Sequence, residues 1–230
     1  MNQKIDDICN DLIILQRKYK RNISVESNVL LANAMTYEHE HTFDLVITSP
    51  PYMNGLDYVM NYKIEMGWLG FTNGSKDAKK VKDNLVVCDN VSKGLIKKFS
   101  KANSKYTNEW IEDIKENIVK HIDRRGNYRR GDMPYIVHKY FDDMYKVIKI
   151  VKKSLRQSGR FILVVGDSLI ADVYVPTDLI LAKIGTGLGL SIEKIEKARN
   201  RHSGQIRNYR LRETIVTLKK TSNERENNGR

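Results

Sequence analysis

Apolar residues recur along the chain at two spacings, one helical and one typical of buried strands. Helical spacing predicts a helix over residues 4–20 and a second one whose apolar face runs from Tyr140 to Val151. Pro176-Thr177 is a helix-start signal for a third, shorter helix over 178–184. Short apolar runs predict the strands, at 28–35, 45–47, 161–165, 192–198 and 213–218. Helices alternating with buried strands predict an α/β fold.

The glycines at 185, 187 and 189 do not form a nucleotide-binding loop. Such a loop must follow a buried strand and open a helix. These glycines follow a predicted helix and precede a weak strand, so they are predicted to be a helix C-cap and its connection.

The segment 44–52 holds the strongest chemical signal. Leu45 to Ile47 is predicted to be a strand buried on both faces. It ends at Thr48 and Ser49, and two prolines then prevent the strand from continuing. The carboxyl end of a buried strand is where α/β sheets place their functional residues.

The letters Ser49-Pro50-Pro51-Tyr52 resemble the motif [DNS]-P-P-[YFW] of amino-methyltransferases that act on nucleic acid with S-adenosylmethionine (AdoMet). The resemblance implies that Ser49 and the Pro50 carbonyl accept hydrogen bonds from an exocyclic amine, and that Tyr52 stacks on a flipped base. It implies cofactor contacts from Thr48 and from Asn33, although a turn-forming role for Asn33 is equally open. The alternative for the motif is a Pro-Pro turn with a core tyrosine.

The following segment, 53–71, resembles restriction-modification DNA methylases with an N-x-x-D-Y step and a helix ending in W-L-G. The resemblance makes Asn54, Tyr58 and Lys63 candidate contacts to DNA or to the flipped nucleotide. Trp68 is predicted to be a core residue.

Two polar regions are further candidates for DNA contact. Residues 72–133 are lysine-rich and lack strand periodicity, so they are predicted to be a mostly helical insertion. This insertion is either a target-recognition segment or a solvated helical excursion. Residues 199–210 are predicted to be a loop that offers Arg199, Arg201, Arg207 and Arg210 to phosphate or base edges.

Composition agrees with a polyanionic partner. The formal net charge is +12 over 230 residues, and lysine and arginine gain affinity for DNA by releasing phosphate counterions. No apolar run predicts a membrane span, and Cys9 and Cys88 have no metal-ligand spacing. A cytoplasmic protein of prokaryotic type, with no membrane partner and no metal, is expected.

An expected segment is missing. The resemblance implies a Rossmann-like class I methyltransferase sheet of order 3-2-1-4-5-7-6, in which a glycine-rich loop after strand 1 wraps AdoMet. The predicted strands correspond to 3, 4, 5, 6 and 7, so strands 1 and 2 and the loop are expected from a companion methyltransferase subunit.

The chain is therefore predicted to be the catalytic half of a split DNA amino-methyltransferase, with duplex DNA and a cognate restriction endonuclease as further partners. Serine at the first motif position favours cytosine N4 over adenine N6. The alternatives are an RNA amino-methyltransferase and a catalytically silent DNA-binding subunit. The predicted divisions are 1–71 with strands 3 and 4, the insertion 72–133, the rest of the sheet at 134–220, and a frayed tail at 221–230.

Overall fold

A computed structural model of the chain describes residues 2–19, 27–54, 57–88, 91–125, 131–202 and 209–221. The chain divides into two compact units, residues 1–32 and 33–230. The predicted tail lies outside the described residues except for Thr221.

The first unit contains the predicted amino-terminal helix, α1 (Asn2–Tyr19). Its apolar side chains are largely exposed, and Ile8 is 59% exposed. The strand predicted at 28–35 is wrong, because residues 27–33 have no regular secondary structure and 34–36 form a turn. Val29 and Leu31 are fully exposed. This segment has no neighbouring strand among the described residues to satisfy its backbone groups. No helix in the described part of the chain is long and apolar enough to cross a membrane.

The second unit contains the sheets and most of the helices. Its helices are α2 (Tyr58–Asn61), α3 (Lys63–Trp68), α4 (Ser75–Asp83), α5 (Lys93–Lys101), α6 (Glu109–Arg125), α7 (Met133–Ser154) and α8 (Thr177–Gly187). Its strands are β1 (Phe43–Thr48), β2 (Leu155–Gly166), β3 (Ser168–Ile170), β4 (Val173–Val175), β5 (Leu190–His202) and β6 (Arg210–Lys220). The predicted α/β class is confirmed.

The main sheet is mixed and has the order β1-β2-β6-β5, while β3 and β4 form a separate two-stranded sheet. β1 is parallel to β2, and β6 is antiparallel to both β2 and β5. β5 therefore runs in the same direction as β1 and β2. The carboxyl ends of these three strands meet at one edge of the sheet.

The hydrophobic core lies between one face of this sheet and the helices α6, α7 and α8. The predicted apolar face of α7 is confirmed, since Tyr140, Phe141 and Met144 are fully buried. They pack with alternate residues of β2, such as Phe161 and Leu163. α8 begins at Thr177 after Pro176, as predicted, and ends at Gly187. Gly189 then has a φ of 86°, a left-handed conformation that favours glycine after a helix end.

The opposite face of the sheet is less well covered. On β1, Leu45 is 49% and Ile47 62% exposed, so the prediction of a strand buried on both faces is wrong. β1 is an edge strand in the described sheet, with β2 as its one neighbour. Val46 points to the opposite side and packs against the core. The apolar sequence of β1 is typical of a central strand, whereas in the described sheet β1 lies at the edge with one face exposed.

The segment 72–133 is helical where it is described. Its longest helix, α6, buries Ile111, Ile114 and Ile118 in the main core, so this part is not a solvated excursion. Its character as an insertion and its contact with DNA stay predictions. Trp68, expected in the core, is 88% exposed, because the short helix α3 buries none of its side chains.

Gly159 lies inside β2, which begins directly after α7 ends at Ser154. A Cβ at Gly159 would lie 2.8 Å from the Arg156 carbonyl oxygen and 3.1 Å from that of Phe43. The β1–β2 pairing shifts register at this point, between Phe43 and Leu45. A glycine is required here because two backbones approach too closely for a side chain.

The uneven covering of the sheet predicts two different costs for truncating apolar side chains. Leu163→Ala, on the covered face, should lower the free energy of unfolding by about 2–5 kcal/mol, because it leaves a cavity. Ile47→Ala, on the open face, should change it by less than about 1 kcal/mol. Urea unfolding of the two variants measures both values. Equal losses would show that the face with Ile47 is covered in solution.

Candidate active site

The motif residues leave the sheet at the edge where three strands end. β1 ends at Thr48, which is paired with Leu163 of β2, and residues 49–52 follow directly. Ser49 is exposed, Pro50 is buried, and Pro51 and Tyr52 are half-buried. β2 ends nearby at Gly166. β1 ends here because two consecutive prolines have no N–H groups with which to continue its ladder. The chain therefore leaves the strand and turns across this edge.

Tyr52 is held in place by an acidic residue of β6. The Tyr52 hydroxyl donates a hydrogen bond to Oε1 of Glu213 over 2.7 Å. The other carboxylate oxygen of Glu213 accepts from Nε of Arg199. Strand pairing places Glu213 opposite both Gly166 of β2 and Arg199 of β5. The residues that hold the Tyr52 hydroxyl, Glu213 and Arg199, are therefore paired with each other across adjacent strands.

Arg201 covers the ring of Tyr52. Its guanidinium carbon lies 4.6 Å from the ring centroid, a cation–π arrangement. Nη1 of Arg201 is buried and has no hydrogen-bond partner among the described residues. A Cβ on Gly166 would lie 2.0 Å from that nitrogen and 3.2 Å from Cε2 of Tyr52. The absence of a side chain at 166 makes room for this stack.

Burial and the nearby carboxylate change the ionisation of this group. Burial raises the pKa of the Tyr52 hydroxyl, and the hydrogen bond to Glu213 and its charge raise it further. The hydrogen bond from Arg199, followed by that from Tyr52, holds the pKa of Glu213 below its ordinary value. At neutral pH the site thus contains a neutral phenol, a carboxylate and two guanidinium groups.

The candidate cofactor residues have different surroundings. Thr48 is half-buried at the end of β1. The Asn33 side chain accepts a hydrogen bond from the Met35 backbone N–H (2.9 Å) and donates one to the Asn84 carbonyl (3.1 Å). This is the turn-forming role that the sequence left open for Asn33. A cofactor contact from either residue stays a prediction.

The candidate contacts after the motif lie in a turn and at the starts of the next two helices. Oδ1 of Asn54 is buried and without a hydrogen-bond partner in the described chain. Tyr58 begins α2 and is 40% exposed, and Lys63 begins α3 and is exposed. Asp57, between them and the motif, caps α2 by accepting from the Met60 N–H (3.1 Å). Contact of these residues with DNA stays a prediction.

The arginine-rich segment is not a loop throughout. Arg199 and Arg201 lie in β5 and Arg210 begins β6, because the hairpin continues its pairing as far as His202 opposite Arg210. Arg207 lies outside the described residues. Since β5 runs parallel to β1, its carboxyl end, with Arg199 and Arg201, lies at the same edge of the sheet as the motif.

Sequence reasoning missed Glu213 and Tyr140 as members of the site. Glu213 was assigned to a strand with no role, although an acidic residue at a strand end next to several arginines was a usable signal. Tyr140 was assigned to the core, and its side chain is fully buried. Its hydroxyl has no hydrogen-bond partner among the described residues, and the electrostatic influence of Tyr52 and Tyr58 indicates that both are near. Burial raises the pKa of Tyr140 well above its ordinary value.

The arrangement is suited to binding rather than to acid–base catalysis near neutral pH. Ser49 offers a hydroxyl, Pro50 a carbonyl whose orientation is limited by the ring, and Tyr52 an aromatic face. The charged groups are fixed in ion pairs or stacked on that face. An aromatic, planar ligand with hydrogen-bond donors on its edge fits these groups.

No protein-family model matches the chain. The chain is 28% identical over 156 residues to the Type II methyltransferase M.AvaI of a Nostoc species, covering 66% of this chain and 32% of that protein. It is 23% identical over 235 residues to the Type II methyltransferase M.BsoBI of Geobacillus stearothermophilus, covering 93% of this chain and 46% of that protein. The chain thus spans less than half the length of these curated relatives. The predicted resemblance to restriction-modification DNA methyltransferases is confirmed.

Among solved structures, the chain matches a Thermus thermophilus protein provisionally named a DNA modification methylase. One crystal structure matches with 15% identity and a TM-score of 0.39, covering 85% of this chain and 55% of that one. The same protein in complex with S-adenosyl-L-methionine matches with 20% identity and a TM-score of 0.31, covering 39% and 40%.

The ion pair beneath Tyr52 predicts a specific dependence of stability on pH. Because folding lowers the pKa of Glu213 below its ordinary value of 4.5, its contribution is fully present above that value and is lost as the pH falls through the folded pKa. Glu213→Gln should therefore lower the free energy of unfolding at pH 7. Between neutral pH and the acid range, the variant should then lose less of its free energy of unfolding than wild type does. Urea unfolding at a series of pH values measures this. The exposed Glu116→Gln is the control, and parallel pH profiles for wild type and Glu213→Gln would contradict the assignment.

Proposed function

We propose that the chain is the base-binding part of a DNA methyltransferase that acts on an exocyclic amino group, with cytosine N4 as its target. The observation that carries the proposal is the position of Ser49 to Tyr52 directly after the carboxyl end of β1. The Tyr52 hydroxyl is hydrogen-bonded to Glu213, which also binds Arg199, and the guanidinium of Arg201 lies over the Tyr52 ring. The similarity to Type II methyltransferases supports it.

The proposed role of Ser49 and Pro50 is to orient the amine. The lone pair of an exocyclic amine is delocalised into the base, so the nitrogen is a poor nucleophile. Two acceptors beside it, the Ser49 hydroxyl and the Pro50 carbonyl, align its N–H bonds and leave the lone pair facing away from them. Orientation is the main catalytic contribution of these residues, and no covalent intermediate is required. Pro51 keeps the turn rigid between the acceptors and Tyr52.

Tyr52 is proposed to stack on the flipped base. A base inside a duplex is inaccessible, so the enzyme must extrude it into a pocket, where stacking on an aromatic ring offsets part of the lost stacking in DNA. The Glu213 hydrogen bond fixes the ring orientation in advance. Asn54, whose buried Oδ1 has no hydrogen-bond partner within the described ranges, is a suitable acceptor for a donor on the edge of the base.

The sheet supports a Rossmann-like methyltransferase architecture. If β1 is strand 4 of the order 3-2-1-4-5-7-6, the observed order β1-β2-β6-β5 corresponds to 4-5-7-6, including the antiparallel strand 7. Strands 1 and 2 would then pair beyond β1. The exposed Leu45 and Ile47 and the edge position of β1 agree with a missing neighbour.

The described residues do not make a complete AdoMet site. No glycine loop follows a buried strand and opens a helix in the described ranges, and the glycines around 187 end α8 instead. AdoMet, the cofactor expected for this class, would supply the methyl group. We propose that polypeptide outside this chain, such as a companion subunit, supplies most of its site. Thr48 and Asn33 are the candidates in this chain for contact with it.

Binding to duplex DNA is proposed to use the basic edge of the sheet. Arg199, Arg201, Arg207 and Arg210 would contact phosphate or guanine edges, and Tyr58 and Lys63 would contact the target strand. The helices of residues 72–125 are a second candidate surface. A cognate restriction endonuclease is the expected functional partner of such a methyltransferase.

The incomplete cofactor site predicts weak AdoMet binding. In calorimetry the chain alone should bind AdoMet weakly or show no heat, and addition of a polypeptide carrying the glycine loop and strands 1 and 2 should restore binding and stabilise both components. Glycine-loop variants of that polypeptide are the control. Tight one-to-one binding by this chain alone would contradict the split cofactor site.

The role of Ser49 predicts a loss confined to the chemical step. Ser49→Ala removes one of two acceptors, so the single-turnover rate of methylation by the assembled enzyme should fall while affinity for DNA is nearly unchanged. Tyr52→Ala is the contrasting variant and should weaken retention of the flipped base by about 1–3 kcal/mol. Unchanged single-turnover rates in Ser49→Ala would exclude Ser49 from the chemistry.

A further inference from the structure

One face of the Tyr52 ring, which is proposed to stack on the base, is already covered in this structure. The guanidinium of Arg201 lies over the Tyr52 ring at 4.6 Å, about the distance of a stacked planar group. A guanidinium is planar and weakly hydrated, so it stacks on an aromatic ring much as a base does. A base and this guanidinium cannot occupy the same face of Tyr52 together.

Arg201 is held by its contact with the Tyr52 ring and by the charge of Glu213, whereas its neighbour Arg199 is hydrogen-bonded to Glu213. Arg199 forms an ion pair with Glu213, whose second oxygen is used by Tyr52. Nη1 of Arg201 is buried without a hydrogen-bond partner in the described chain. A buried, unpaired N–H of a cation carries a free-energy penalty, which an incoming oxygen ligand would relieve.

The surroundings leave Arg201 able to move. Gly166 contributes no side chain beneath it, and the guanidinium is the far end of a flexible side chain on β5. Because arginine forms bidentate hydrogen bonds to phosphate, a backbone phosphate of nucleic acid is a chemically matched destination.

We propose that Arg201 is a placeholder: it covers the face of Tyr52 in the absence of DNA, yields this face to the flipped base, and transfers its guanidinium to a phosphate of the same nucleotide. This rests on the proposed base-binding role of Tyr52. The exchange couples entry of the base to capture of its phosphate, so a nucleotide is favoured over the corresponding nucleoside. Arg201 is therefore a positioning residue for substrate, and it acts before any chemical step.

The test compares four probes on the full chain: deoxycytidine, deoxyadenosine and their 5′-monophosphates. Binding is followed by NMR of ¹³C-labelled tyrosine, with the Tyr52 signal identified by its loss in Tyr52→Phe. Arg201→Ala should bind the nucleosides about two- to five-fold more tightly than wild type, because no cation–π contact has to be broken. The preference of wild type for the monophosphates should disappear in this variant.

Two variants make the outcome specific. Arg201→Lys keeps the charge without the planar group, so it should bind nucleosides more tightly than wild type yet retain part of the preference for phosphate. Arg156→Ala removes an arginine paired with Asp44 at the other end of β2 and should behave as wild type.

Three results would overturn the proposal: weaker or unchanged nucleoside binding in Arg201→Ala, or a phosphate preference that survives it. Nucleoside binding that Tyr52→Ala abolishes but Arg201→Ala does not improve would reject the placeholder and leave the proposed function standing. Nucleoside binding unaffected by Tyr52→Ala would instead reject the stacking role of Tyr52 on which both depend.

Discussion

The parallel hydrogen-bonded ladder between β1 and β2 determines where the motif residues lie. β1 has no other strand neighbour in the described sheet, so this one ladder fixes the direction and register in which Ser49 to Tyr52 leave the strand. The pairing of Thr48 with Leu163 sets the position along β2 at which the motif residues begin. The β2–β6 ladder places Glu213 opposite Gly166, the last residue of β2. Because the ladders share β2, the acceptors, the ring and the carboxylate are all positioned by a strand that packs on the core through Phe161.

Local pattern was sufficient for the parts of the fold whose stability comes from the core. The apolar face of α7 and the alternate residues of β2 follow periodicities that are visible in the letters alone, and Pro176 marks the start of α8 correctly. The two wrong predictions of buried strands have one physical origin. Residues 28–35 and the outer side of β1 have the composition of buried strands, but burial depends on neighbours, and the described residues do not supply them.

The part of the site that is continuous in sequence was predictable. The part that is brought together by pairing between distant strands was not. Ser49 to Tyr52 form an unbroken motif, so their position at the end of a strand followed from it. The link from Tyr52 to Glu213 joins residues 161 positions apart and depends on the β2–β6 register, which no local pattern encodes. The extension of β5 to His202 was missed for a similar reason, since arginines have no strand periodicity and only the hairpin pairing reveals them as strand residues.

Gly166 has an implication for sequence drift at this edge of the sheet. A methyl group at 166 would meet the guanidinium of Arg201 and, at 3.2 Å, Cε2 of Tyr52. The three nearest atoms all belong to side chains, so the fold could accommodate an alanine there if the arginine turned aside and the ring shifted slightly. Selection at position 166 would then act on whether Arg201 covers the Tyr52 ring and hardly at all on folding. Positions 166 and 201 should therefore co-vary, with a larger residue at one accompanied by a shorter one at the other, although 35 positions of chain separate them.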